Sequence, residues 1–410
     1  MADLLDAFPR RSSAECAVRL FLGFLIGWVG WHAIIESLAV ALPDTEIERA
    51  YALAPNDGRI GARLSAILSN QLAGYGDRAH ATLVAKKALR DDATSVEAVA
   101  SLGTVALASG DEAAAKRLFK YSQALSRRDL RTQLWAVENS VSRNDIAGAL
   151  KHYDIALRTK TSARALLYPV LASAIGDPDV RSALLETLTR RPGWASDFVD
   201  YVAMNDFEAR SAAQLLGDLH RARFPVSDRA SNALINRLLA GRQYDQAWTY
   251  YAAIHPDADR RQSRDPMFAA MLDRPSRFDW IPMNGPGIST AIQPGRQGGV
   301  FEFSVAPSVG GLLLQQAQVL PPGEYILQGH SLGIDQREGA RPYWTLRCLN
   351  GQQLARSVVP NSMTSNGVFS GRFTVPTECS AQSVELYARS STKMDGVTGQ
   401  IDRVSLRPSR

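Results

Sequence analysis

The sequence predicts a multidomain α plus β chain of 410 residues: an N-terminal transmembrane helix, an α-helical solenoid of repeats, and a C-terminal β-sandwich of jelly-roll type. Three observations predict it. One apolar run near the N-terminus is long enough to cross a bilayer. Turn-forming residue pairs then recur about 34 residues apart, the mark of stacked helical hairpins. Late in the chain, short alternating runs replace the helical period. The length also exceeds what one compact core usually holds.

The apolar run is LFLGFLIGWVGWHAIIESLAVAL, residues 20–42. At about 1.5 Å per residue it matches a hydrocarbon layer of about 30 Å. Glu36 lies near enough to its end to reach the interface, where Trp28 and Trp31 are also at home. The rival reading is a signal peptide cleaved after Ala39–Ala41; the long preceding stretch favours an uncleaved anchor. Residues 1–19 then form a short cytoplasmic tail carrying Arg10, Arg11 and Arg19, and nearly all folded mass lies across the membrane. The expected location is a bacterial inner membrane, single-pass, with the bulk in the periplasm.

Residues 45–262 read as helices with regular punctuation. Gly110-Asp111 and Asn144-Asp145 echo Gly76-Asp77, each 34 residues from the next, and Gly176-Asp177 follows. A second series (ALAPND at 52, ALRDDA at 88, ALSRRD at 124, ALRTKT at 156) interleaves with the first, so the order is helix, turn, helix, turn. Gly103 and Ala115 are small enough for paired helices to approach closely, and Phe119 fills the groove left between them. Ala149 and Tyr153 repeat that arrangement 34 residues on, while Ala81 and Ala85 precede it.

This pattern resembles the tetratricopeptide repeat, closely over residues 45–165 and loosely over 166–262. It lacks the aromatic usual early in the first helix, and most units lack the closing proline. A solenoid of this kind exposes a concave wall built from the first helix of each pair. Arg63, Asn70, Glu97, Thr104, Arg131 and Glu138 recur at equivalent inward places, which makes the wall polar and mixed in charge. Such a wall suits a peptide or a partner protein; plain solvated surface is the competing reading.

Residues 263–287 are rich in Arg and Pro and read as a junction, with a first strand beginning as early as 277. Residues 288–410 carry the sandwich. Its strand runs are GVFEFSV, LLLQQAQV, GEYILQGHS, PYWTLRC, QLARSVV, VFSGRFTV, SVELYAR and QIDRVSL. Alternation sends Trp344, Leu346 and Cys348 to one side and Tyr343, Thr345 and Arg347 to the other. It likewise sends Val384, Leu386 and Ala388 inward, with Glu385, Tyr387 and Arg389 outward. Cys348 and Cys379 would join beside Trp344 in an oxidising compartment, closing a loop of roughly 30 residues worth about 3 kcal/mol.

FDWIP at 278–282, QAQVLPPGEYIL at 316–327, WTLRC at 344–348 and FTVPTECSAQSVELYARSS at 373–391 carry a second resemblance. Together they look like the carbohydrate-binding-like sandwich of bacterial envelope proteins that pair it with helical repeats. ALSRRDLRTQLW at 124–135 is similar to their repeat region. Proteins of this kind resemble those associated with exopolysaccharide production, which implies envelope proteins of a synthesis or export system as partners, and glycan as ligand.

Chemistry is scarce. No H-E-x-x-H, G-x-S-x-G, P-loop or G-x-G-x-x-G occurs, and the six histidines never reach metal-ligand spacing. No cofactor and no metal are expected. Ser390–Lys393 matches S-x-x-K, but at a strand end and with no K-T-G after it. The 46 Lys and Arg are dispersed against 41 Asp and Glu with no basic stripe, so nucleic acid is not an expected partner. A non-enzymatic scaffold is the expectation. On the sandwich, Tyr343, Arg347, Tyr387 and Arg389 combine aromatic faces with charged donors, as a sugar site does; cross-strand pairs that stabilise an exposed sheet are the competing and slightly favoured reading. Two further readings stay open: an envelope assembly adaptor without glycan binding, and a glycan-cleaving enzyme using Glu302 and Glu385.

Overall fold

A computed structural model of the chain describes residues 13–69, 75–270, 272–295 and 297–409. It divides into two compact units, 1–167 and 168–410. The first unit ends close to residue 165, up to which the repeat resemblance is close, and the later helices share a unit with the sandwich.

The first unit begins with α1 (Ser13–Ala41), whose Ala17–Ala41 stretch is long and apolar enough to cross a membrane by length and composition. Ala39 packs at its end with Ile47, Ala50 and Leu64. The helices that follow are α2 (Ile47–Leu53), α3 (Gly58–Leu68), α4 (Tyr75–Asp91), α5 (Val96–Ala108), α6 (Glu112–Leu125), α7 (Leu130–Val141) and α8 (Ile146–Thr159). The divide between the units falls inside α9 (Ala163–Ser173). α3 pairs with α4, α5 with α6 and α7 with α8, and α5 also packs on α3.

The recurrent turns have a common cause. Asp111 and Asp145 are N-caps whose carboxylates accept from the backbone N–H of Ala114 and Gly148, each at 2.8 Å. Just before them, Gly110 and Asn144 adopt φ of +78° and +56°. The N–H groups of Asp111 and Asp145 then bond back to the carbonyls of Ala106 and Ser140 at 2.9 Å. Each pair thus ends one helix and starts the next within two residues. Asp57 and Asp129 cap α3 and α7 in the same way.

Between the caps small residues make up much of the core. Ala62, Ala85, Ala88 and Ala98 form one cluster, and Ala100, Ala115 and Phe119 another. Gly103 faces the Phe119 ring so closely that a Cβ there would lie 2.9 Å from two ring carbons. Trp135 stacks on the same ring, with centroids 5.0 Å apart.

The second unit carries α10 (Pro178–Thr189), α11 (Ala195–Met204), α12 (Ala209–Arg221), α13 (Asp228–Ala240) and α14 (Tyr244–Ile254). Among the described residues ten strands follow: β1 (Ile281–Pro282), β2 (Ile288–Gly295), β3 (Gly298–Val305), β4 (Gly311–Gln318), β5 (Gly323–Leu332), β6 (Tyr343–Cys348), β7 (Gln353–Val358), β8 (Val368–Val375), β9 (Gln382–Ala388) and β10 (Val397–Pro408). They form two antiparallel five-stranded sheets, β1-β4-β9-β6-β7 and β2-β3-β10-β5-β8. The eight runs expected from alternation are β3 to β10. Trp280, Trp344, Phe301, Phe303, Phe369 and Phe373 are buried in their shared core. Cys348 and Cys379 form a disulfide there, closing a separation of 31 residues.

The stretch expected as a junction is instead packed structure. Phe268 and Trp280 belong to the sandwich core. Phe278 meets Trp248 and Tyr251 of α14 edge-on, at 5.6 and 5.2 Å. Arg264, half-buried beside them, lies 3.9 Å over the Tyr251 ring, pairs with Asp279 and donates to the Phe278 carbonyl. Arg260 adds a strap, reaching Asp245 on α14 and the carbonyl of Val319, both at 2.6 Å. Those ring and guanidinium contacts are why the late helices join the sandwich.

Candidate functional site

In the first unit, Arg63, Glu97, Thr104, Arg131 and Glu138 come together along one open groove of about 620 Å³. The 34-residue spacing puts Arg63, Glu97 and Arg131 at matching places on α3, α5 and α7. Within a helix, Glu97 and Thr104, like Arg131 and Glu138, are seven residues apart and share a face. Asn70, expected in the same row, lies outside the described residues.

Internal bonds fix part of this lining. Arg63 pairs with Asp44 at 2.6 Å and donates to the Leu42 carbonyl. The Arg131 guanidinium donates to the Ala66 carbonyl at 3.3 Å and reaches the hydroxyls of Ser69 and Ser101 at 3.5 Å. Asp44, Glu97 and Glu138 balance Arg63, Arg131 and Lys160 around the groove, with half-buried Trp135 in its wall. The result is an alternating set of charges beside one aromatic face, suited to a polypeptide of mixed charge.

On the sandwich, Tyr343 of β6 and Tyr387 of β9 are direct cross-strand partners, and their rings stack with centroids 5.5 Å apart. Arg347 lies 3.9 Å from the Glu385 carboxylate, and Arg389 sits 5.1 Å from the Tyr343 centroid. All four expected residues therefore meet on the outer face of one sheet. Burial pushes the Tyr387 phenol above its usual range; the charge and hydrogen bond of Glu385 act in the same direction, and Arg347 opposes them. Arg356 on β7, missed from the sequence, places its guanidinium 4.0 Å from the Tyr343 centroid. Alternation in QLARSVV could have found it, since its register partner Thr345 lies beside Tyr343. The ring face that a sugar would use is already covered by that cation.

The other sheet has a cleft of about 560 Å³ on its outer face, lined by Ser289, Gln293, Glu302, Thr398 and Gln400. Glu302 and Gln400 are opposite in register on β3 and β10, and the Gln400 amide donates to the Glu302 carboxylate at 2.6 Å. Nothing in the sequence flagged Ser289, Thr398 or Gln400, because small polar residues on an outward strand face look like ordinary solvated surface.

This geometry corrects the carboxylate pair. Glu302 belongs to one sheet and Glu385 to the other, and each points away from the core they share. Two carboxylates that cleave a glycosidic bond flank it at roughly 5–10 Å, whereas these face opposite sides of the sandwich. Alternation shows which residues point outward but not which sheet they leave. Among the described residues, no group of three or more His, Cys, Asp or Glu is placed to hold a metal ion.

No protein-family model matches the sequence, and no curated protein matches it. Solved structures share the strand architecture at low identity. A CBM4 structure is 12% identical, with 37% of this chain and 99% of that one covered and a TM-score of 0.25. The family 11 carbohydrate-binding module of cellulosomal cellulase Lic26A-Cel5E from Clostridium thermocellum is 15% identical, with 35% and 92% covered and a TM-score of 0.22. Tailspike protein 4 of bacteriophage CBA120 is 12% identical over 31% of this chain, with a TM-score of 0.22. The chain spans only 18% of the tailspike structure. Overlaps this low carry no functional argument; the sandwich is established by its own strand pairing.

Proposed function

We propose that the protein is a membrane-anchored binding protein of the bacterial envelope that supports production or export of a surface polysaccharide. In this reading α1 is the anchor, and the hairpins of the first unit, tetratricopeptide-like in period and caps, hold a protein partner. The sandwich touches glycan through its outer-face cleft, and the protein acts by binding, without turnover. The observation that carries the reading is the groove built at 34-residue intervals, where five polar side chains converge on open space. The Cys348–Cys379 disulfide supports a location outside the cytoplasm.

The test is site-specific photocrosslinking in cells from Glu97 and Glu138, with reporter fusions after residue 45 and at the C-terminus to fix topology. Specific protein adducts and an exported C-terminus are expected. No adduct from either position removes the scaffold, and a cytoplasmic C-terminus removes the envelope location. One observation favours an assembly adaptor without glycan binding: Arg356 covers Tyr343, so the aromatic ladder is occupied from within. A glycan panel against the full chain in detergent separates the two. Neutral-glycan binding that weakens in Gln400→Ala supports the cleft, and silence across the panel leaves the adaptor.

A further inference from the structure

A second groove of about 620 Å³ runs between α10, α12 and α14 in the second unit, and the expected repeat wall does not include it. Arg210, Gln214, Gly217 and Arg221 recur at three- and four-residue steps along one face of α12. Gln246, Thr249 and Tyr250 answer them from α14, and Arg181 enters from α10. Its lining holds three guanidinium groups against one carboxylate, Asp218. Asp218 pairs with Arg221, and Arg181 donates to the Ile175 carbonyl at 2.9 Å. Arg210 is exposed and has no ion pair among the described residues. Two positive charges therefore face the groove without an acidic partner.

The neutral lining narrows the ligand. Amide groups of Gln214 and Gln246 both donate and accept, and the Thr249 hydroxyl, which donates to the Asp245 carbonyl at 2.7 Å, can still accept, which suits hydroxyl-bearing partners. The Tyr250 hydroxyl is engaged away from the groove by Ser231 at 3.0 Å. Apolar anchors are slight: Ala213, Ala253 and the side of the Tyr250 ring. Peptides gain much of their affinity from buried aromatic or aliphatic anchors, and little here would receive them. Guanidinium forks match carboxylates in shape as well as charge. The volume falls within the roughly 300–1,000 Å³ over which proteins enclose small ligands.

We infer that this groove is a binding site for a short stretch of carboxylate-bearing, uronic-acid-type oligosaccharide. The carboxylates are held by Arg181 and Arg210, and the ring hydroxyls by Gln214, Gln246 and Thr249. The site is carried by the helices alone and stands whether or not the sandwich touches sugar.

The test is calorimetric titration of the full chain in detergent with trigalacturonate, a neutral galactose trisaccharide and a triglutamate peptide. Trigalacturonate binding is expected, weakening as salt rises. Arg210→Ala should lower affinity by about tenfold or more, the worth of a charge-assisted bond; Arg210→Lys should retain part of it. Arg181→Ala combined with Arg210→Ala should abolish it, while Lys116→Ala, at an exposed position on α6, leaves it unchanged. Since Arg181 also ties down the Ile175 carbonyl, the exposed Arg210→Ala variant decides the matter alone if the double variant misfolds. No trigalacturonate binding, or binding indifferent to Arg210→Ala, overturns the assignment. Triglutamate binding as tightly as trigalacturonate reassigns the groove to peptide, and loss of binding in Gln400→Ala moves the site to the sandwich.

Discussion

The hairpins between Ile47 and Thr159 and the sandwich between Ile281 and Pro408 bury their cores in opposite ways. The hairpins fill much of theirs with alanine and serine around a few larger side chains such as Ile60, Leu64 and Phe119, and each helix meets its neighbours a few residues away in sequence. In the sandwich, tryptophan and phenylalanine come from strands far apart in the chain, with a covalent tie between two of its segments. Close approach of backbones holds the first region, and large apolar side chains hold the second. Local spacing can therefore describe the first almost completely, while the second depends on pairings that no local pattern reveals.

The sharpest break in that contrast is Trp344→Ala. The indole is fully buried among Trp280 and Phe369, so a loss of about 3–5 kcal/mol is expected by chemical denaturation. A loss under 1 kcal/mol would mean that the sandwich core repacks as easily as a small-residue one. Reduction, or Cys348→Ser with Cys379→Ser, should cost about 3 kcal/mol through the freed loop. That loss should appear in the transition of the second unit and leave the first unchanged. Gly103→Ala tests the other side. The added methyl meets a Phe119 ring backed by Trp135, and overpacking of about 1–3 kcal/mol should outweigh the helix propensity gained. A neutral or stabilising result would show that the hairpins are looser than their spacing implies.

The smallest effect expected is one of pH. Burial depresses the His152 pKa; neighbouring Lys151 adds to this and Asp145 opposes it. Its folded value thus lies below the unfolded value of about 6.5. As pH falls through that unfolded value the unfolded chain takes up the proton first, so stability declines until the folded pKa is passed. Above about pH 7 the term vanishes. Denaturation midpoints between about pH 7 and 5 should show a shallow fall that His152→Gln flattens, and an unaltered slope in the variant would assign the fall elsewhere.

Much of the fold was legible because its signals are local. Asp111 and Asp145 announce helix starts, and alternation identifies β3 to β10. β2, which no signal flagged, and β1, anticipated only as a first strand beginning as early as 277, are both sheet edges, and both contain proline, which an edge tolerates and a central strand does not. Of the candidate sites, the row from Arg63 to Glu138 followed from the repeat period. Arg356 was missed because it acts through a neighbouring strand, and the Glu302–Glu385 pairing failed because sheet membership is a long-range property. The α12 arginine face lay in residues 166–262, where the repeat spacing loosens and no longer assigns inward positions.

Phe278, wedged against Trp248 and Tyr251, has a consequence for reach. The arginine groove and the sheet cleft are mounted on one compact piece, with the segment between α14 and the first strand strapped down by Arg260. Their separation is therefore fixed by side-chain packing. A polymer long enough to occupy both would be gauged against that distance, as a caliper gauges a rod, and shorter chains would be held at one jaw only.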